Sequence, residues 1–125
     1  MPSARTQRLA TVSRMSEEAI HRTVVAHLAR RARPGVVYAH VPNGEARGAG
    51  LGGKLKALGT RAGMPDLIAL HAGQFYALEL KREGGRLTES QRQTLADLEA
   101  AGALTAVAYG LDDALGRLSS WGLLR

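Results

Sequence analysis

Apolar residues fall into three kinds of pattern along the chain. From Ser16 to about Arg33, Ile20, Val24 and Leu28 recur at helical spacing. Ser16 has the hydroxyl of a good N-cap, Glu17 and Glu18 fill the first turn, and Pro34-Gly35 provides a stop. Val36 to Val41 reads as a strand ending in the turn Pro42-Asn43-Gly44. Two β-prone runs follow, Gly63 to Leu70 and Phe75 to Lys81, separated by Ala72-Gly73, which can reverse the chain in a hairpin. Thr88-Glu89-Ser90-Gln91 fits a capping box opening a helix whose Leu95 and Leu98 point to the sheet, and Gly102 ends it near Ala101. Leu104 to Tyr109 is a further strand. Asp112 is the expected cap of a last helix with Leu115, Leu118 and Trp121 inward. The order helix, strand, loop, hairpin, helix, strand, helix predicts an α/β sandwich around a mixed sheet. Residues 1–15 carry basic residues with little periodicity and read as a flexible tail, leaving 16–125 as the folded domain.

Three charges interrupt the hairpin strands, Asp66, Glu79 and Lys81. With Ala72-Gly73 as the loop, His71 faces Gln74, Leu70 faces Phe75, and Asp66 falls opposite Glu79. Opposed side chains have Cβ atoms about 4.5–5.5 Å apart, and two carboxylates there repel unless one is protonated or a cation lies between them. Period two puts Phe75, Ala77, Glu79 and Lys81 on one face. The three charges therefore converge at one end of the hairpin. Two hard-oxygen acids suit Mg²⁺ or Mn²⁺. A lysine beside them can orient a water or stabilise charge on a phosphate.

The segment from Gly44 to Gly59 is rich in glycine and basic residues, including Arg47, Lys54 and Lys56. It lacks the spacing of a nucleotide-binding P-loop, and a basic loop closing on a nucleic-acid backbone fits it better. Leu51, Leu55 and Leu58 can form a short helical turn inside it. Arg61, just before the strand of Asp66, is a candidate phosphate contact. The formal charge of +6 favours a polyanionic partner. The chain has no cysteine, so it holds neither a disulfide nor a zinc–thiolate site, in keeping with a cytosolic protein. No apolar run reaches transmembrane length, and no apolar signal core follows the basic N-terminus.

Pro65-Asp66 followed by Glu79-Leu80-Lys81 resembles the PD-(D/E)xK nuclease signature. Pro42-Asn43-Gly44, the basic glycine-rich stretch, Gly63-Met64-Pro65-Asp66-Leu67, Glu79-Leu80-Lys81 and Gln91, in that order, resemble the VRR-NUC family, including its stand-alone phage-type members. The resemblance implies a restriction-endonuclease-like mixed β-sheet flanked by helices. It implies a divalent-metal-dependent endonuclease in which Asp66, Glu79, the Leu80 carbonyl and Glu17 hold Mg²⁺ or Mn²⁺, with Lys81 and Gln91 at the same site. Glu17 shares the inward face of its helix, whereas Glu18 only complements the helix dipole. For Gln91 the capping box is a sufficient structural reason, and the family's glutamine near the metal adds a second. Asn43 matches the family's Pro-Asn-Gly and joins Arg47, Lys54, Lys56 and Arg61 as candidate nucleic-acid contacts. His21 stands where many relatives carry Gln and is left outside the catalytic set, as is His27. The resemblance further implies DNA as substrate, branched or Holliday-junction DNA in particular, a homodimer, and the cytoplasm of a bacterial or phage-infected host cell. A nicking or flap nuclease and a non-catalytic nucleic-acid-binding module with the same fold are the alternatives.

Overall fold

The structure, a computed structural model, describes residues 15–42 and 51–125. Helix α1 (Glu17–Arg31) leads to strand β1 (Val37–His40), a short helix α2 (Leu51–Ala57), strands β2 (Leu67–His71) and β3 (Gln74–Lys81), helix α3 (Glu89–Ala100), strand β4 (Leu104–Tyr109) and helix α4 (Leu111–Ser120). The four strands lie in sequence order, with β1–β2 and β2–β3 antiparallel and β3–β4 parallel. The architecture is the mixed α/β sheet flanked by helices that the patterning predicts, with α2 added where the three leucines mark a helical turn.

Local chemistry accounts for most element boundaries. The Ser16 hydroxyl accepts the Ala19 N–H at 3.1 Å, and Glu17 and Glu18 oppose the positive end of α1. The β2–β3 turn has Ala72 at φ 50° and Gly73 at φ 81°, the two left-handed residues that a type I′ hairpin needs. That turn pairs His71 with Gln74, Leu70 with Phe75 and Leu67 with Leu78. At α3 both halves of the capping box form: Gln91 N–H donates to the Thr88 hydroxyl at 3.2 Å, and Thr88 N–H donates to Gln91 Oε1 at 2.9 Å. The last helix differs from expectation. Its N-cap is Gly110, with no side-chain cap, and Asp112 does not fill that role. Asp113 instead reaches back to accept the Tyr109 N–H at 2.9 Å, because a carboxylate one position further along already meets the end of β4.

The sheet separates two chemistries. On one face, Tyr76, Leu78 and Leu80 of β3 join Leu67, Ala69, Ala106 and Ala108 in a core closed by Ile20, Val24 and Leu28 of α1 and Ala114 and Leu118 of α4. Trp121 packs against this core with its ring 5.2 Å from Tyr76, as its sequence position predicts. Burying each large side chain contributes about 1.5–3 kcal/mol. The alternate residues of β3 face α3, as the shared groove of Phe75 with Leu98 indicates. On that face Ala77 is followed by Glu79 and Lys81, which are only 2% and 7% exposed. Charged groups so deeply placed require partners. Among the described residues, no helix is long and apolar enough to cross a membrane.

Candidate metal and nuclease site

The hairpin register carries Asp66 to the position opposite Glu79, one step beyond the Leu67–Leu78 pair. Asp66 is gripped twice. Its Oδ2 accepts the Leu80 N–H at 2.7 Å, and its main-chain carbonyl accepts the Val41 N–H at 2.9 Å. Pro65 before it is fully buried. The second strand then buries Glu79 beside it.

Burial pushes the Glu79 carboxyl from its ordinary value of 4.5 up to about 9, reinforced by a side-chain hydrogen bond to Asp66 and by the Asp66 charge. The Lys81 ammonium opposes this shift, and Glu17 adds a smaller upward push. At neutral pH Glu79 thus keeps its proton, facing Asp66. Glu79 Oε2 is buried and, among the described residues, has no hydrogen-bond partner. A buried acceptor left this way costs about 1–3 kcal/mol. A hard divalent cation would satisfy that oxygen and replace the proton, so the residues present fit such an ion. Glu17 lies near enough to act on Glu79 electrostatically, but its residue is exposed at the start of α1. Among the described residues no three His, Asp or Glu side chains form a complete ligand set, and Asp66 with Glu79 is the pair in contact. Two carboxylates with waters completing the shell are the usual complement for Mg²⁺.

Gln91 reaches the same place from α3. With Asp66, Gly63 and Met64 it lines a cavity of about 250 Å³. Its Oε1 is committed to the cap, and among the described residues its amide nitrogen makes no hydrogen bond. One side chain thereby caps the helix and borders the acids. Arg61, read as a phosphate contact, has its guanidinium on Asp97 and Thr94 Oγ1, the latter at 3.2 Å. The hydrogen bond from Arg61 holds the Asp97 carboxyl below its usual range. Thr94 in turn donates to the Ala62 carbonyl at 3.0 Å, so Arg61 and Thr94 tie α3 to the segment entering Asp66. Lys54 and Lys56 are exposed on α2. Asn43, Arg47 and all of the tail at 1–15 except Met15 lie outside the described residues.

Two histidines at this edge carry more than the sequence discloses. His40 Nδ1 lies 2.9 Å from the Asp66 carbonyl oxygen, and the His21 ring meets the His40 ring edge-on, with centroids 4.3 Å apart. Burial and the neighbouring His40 hold His21 below its ordinary value, against the pull of Asp66. His21 follows Glu17 by one helical turn, a signal visible in the sequence. His40 has none, because only the β1–β2 register, pairing His40 with Leu67, brings it beside Asp66.

Comparison with known proteins identifies the fold and the family. A solved structure titled VRR_NUC domain protein superposes with a TM-score of 0.68 over 84% of this chain and 86% of that one, at 22% identity, which establishes the shared fold. No curated protein matches. The family model for the VRR-NUC domain matches residues 15–112, a span that includes both strands of the hairpin, Gln91 and the start of α1. The chain therefore belongs to the VRR-NUC family, within the PD-(D/E)xK superfamily of nuclease-type folds.

Proposed function

We propose that this protein is a divalent-metal-dependent endonuclease acting on DNA, with Asp66, Glu79 and Lys81 as its working centre. The observation that carries this reading is the buried Glu79 oxygen facing Asp66, without a hydrogen-bond partner among the described residues, and a buried lysine two residues on along the same strand face. Asp66, Glu79 and the Leu80 carbonyl would hold Mg²⁺ or Mn²⁺, with Glu17 as the third acid. When bound, the ion supplies Lewis acidity at the scissile phosphodiester. Lys81 orients the attacking water or stabilises the charge that develops on the phosphate. Gln91 borders the substrate side of the cavity. Asn43, Arg47, Lys54, Lys56 and Arg61 are the proposed backbone contacts, Arg61 only after exchanging Asp97 for phosphate. A domain this small has one centre and little surface for reading sequence, which favours recognition of DNA shape. Branched or four-way-junction DNA, cut by a homodimer with two centres in the cytoplasm of a bacterial or phage-infected cell, is the substrate class we favour.

The deciding assay offers four-way junction, flap, single-stranded and linear duplex DNA with and without Mn²⁺. Cleavage is expected only with the ion, and preference among the substrates reads out shape selectivity. Flap or nick products would select the nicking reading, and binding without any cutting would select the non-catalytic module. In the same assay Asp66→Asn should lose about 10²–10³-fold or more of the rate. Its amide oxygen can still accept the Leu80 N–H, so the folded circular-dichroism spectrum should persist. A variant cutting at the wild-type rate would sink the assignment.

The helix α2 lysines give a separate expectation. In the Asp66→Asn background, which blocks cutting, replacing Lys54 and Lys56 by alanine should weaken DNA binding and lower the slope of log K against log salt by about 1.5–2. An unchanged slope, measured by fluorescence anisotropy across a salt series, would remove both lysines from the interface.

A further inference from the structure

We propose that His40, braced by His21, is a positioning residue that fixes Asp66 against the helix carrying Glu17 for binding of the divalent ion, an inference that rests on the metal reading above. The Asp66 carbonyl oxygen can only accept, so the 2.9 Å contact requires the proton on His40 Nδ1. The same carbonyl takes the Val41 N–H at 2.9 Å. Two neighbouring residues at the end of β1 therefore hold one carbonyl, while Leu80 of β3 holds the carboxylate of the same residue at 2.7 Å. Asp66 is fixed at its main chain from one side and at its side chain from the other.

His21 completes the linkage. It is the residue of α1 whose ring meets His40, at 4.3 Å and 86° between planes, the edge-on geometry favoured by aromatic rings. One turn before it on the same helix stands Glu17. The chain Glu17 helix, His21 ring, His40 ring, Asp66 carbonyl thus crosses three elements, α1, β1 and the entry to β2. No covalent neighbour couples α1 to Asp66, and the core cluster beneath them is apolar and directionless. The ring pair supplies the directional contact that sets how far the third acid stands from the first. Groups that orient ligands in this indirect way typically alter metal affinity 10–100-fold.

Isosteric replacements test this. The asparagine amide nitrogen occupies about the position of histidine Nδ1, so His40→Asn keeps the donor, while His40→Ala removes it and His40→Gln misplaces it. His21→Phe keeps an edge-on ring, and His21→Ala does not. Mn²⁺ affinity of the intact chain is measured by titration calorimetry, beside the metal-free melting temperature. His40→Ala and His40→Gln should bind Mn²⁺ about tenfold more weakly, with His40→Asn within about threefold of wild type. His21→Ala should weaken binding and His21→Phe restore it, and the double alanine variant should be no weaker than His40→Ala alone, as expected of one linked unit. Wild-type affinity in His40→Ala, or equal losses in His40→Asn and His40→Ala, would overturn the inference while leaving the metal reading standing. No Mn²⁺ binding by the wild type would overturn both.

Discussion

Replacing Glu79 by glutamine should stabilise the metal-free protein and at the same time abolish its divalent-ion binding. The folded Glu79 carboxyl keeps its proton up to about pH 9, against an ordinary value of 4.5, chiefly because it is buried and because Asp66 faces it. The folded state thus binds one more proton than the unfolded state between those values, and stability falls as pH rises through that window. The stabilisation from this proton is complete below about 4.5 and gone above about 9. Glutamine has nothing to ionise and can still donate to Asp66. Its advantage in melting temperature should be absent at pH 4, grow through neutrality, and reach on the order of 5 °C or more by pH 8. On the proposed metal reading, saturating Mn²⁺ should reverse the order, since it would bind the wild-type pair in place of the proton and stabilise it by mass action while leaving the variant unmoved. Thermal scans at pH 4, 6 and 8, each with and without Mn²⁺, read both effects. A variant whose melting profile tracks the wild type at every pH would mean that Glu79 is not held protonated by its surroundings.

The second large effect is expected at Gly63, which the Gly-Met-Pro-Asp motif displays without giving its reason. A Cβ there would lie 2.3 Å from the Ser90 carbonyl oxygen and 2.8 Å from the Gln91 nitrogen, both main chain in the first turn of α3. Its φ of 79° adds the strain of a left-handed alanine. Backbone cannot swing aside as a side chain can, so Gly63→Ala must separate the Asp66 segment from α3 or unwind the capping box. A loss of about 2–4 kcal/mol is expected from denaturant unfolding. Gly73→Ala is the control: its φ is 81°, but nothing lies within 4 Å of the added carbon. It should lose only the conformational part, about 1–2 kcal/mol. Equal losses in the two variants would mean that the tight packing of Gly63 on α3 contributes nothing.

The contrast between these sites and the histidine pair shows what a single chain discloses. The hairpin is legible because Ala72-Gly73 form a two-residue turn, and a turn of that length sets the whole β2–β3 register. Asp66 and Glu79 could be placed opposite each other by counting outward from it. Helical spacing puts Glu17 on the face of Ile20 and Val24, yet at the start of α1 the residue is exposed and reaches Glu79 only through its charge. His40 was not legible, since β1 pairs with β2 across a long basic segment with no turn chemistry to fix the offset. Arg61 illustrates a different limit: a positive charge beside a nuclease motif invites a phosphate, and only the packing of α3 presents Asp97 and Thr94 to it. The cap of α4 failed for a smaller reason. Asp112 and Asp113 are adjacent, and backbone geometry at the end of β4 chose the second.

The order in which the strands meet has a consequence for how the centre is assembled. The β2–β3 contact closes a loop of two residues, whereas β1 must find β2 across 33 positions between Val37 and Leu70, and β4 must find β3 across 28 between Tyr76 and Leu104. Short loops close first and lose least entropy. The two acids are therefore brought face to face by the earliest and most local event in folding, before the sheet that shields them is complete. The hairpin pairing therefore comes from local chain, whereas the contact of His40 with Asp66 waits on the long-range pairing of β1 with β2.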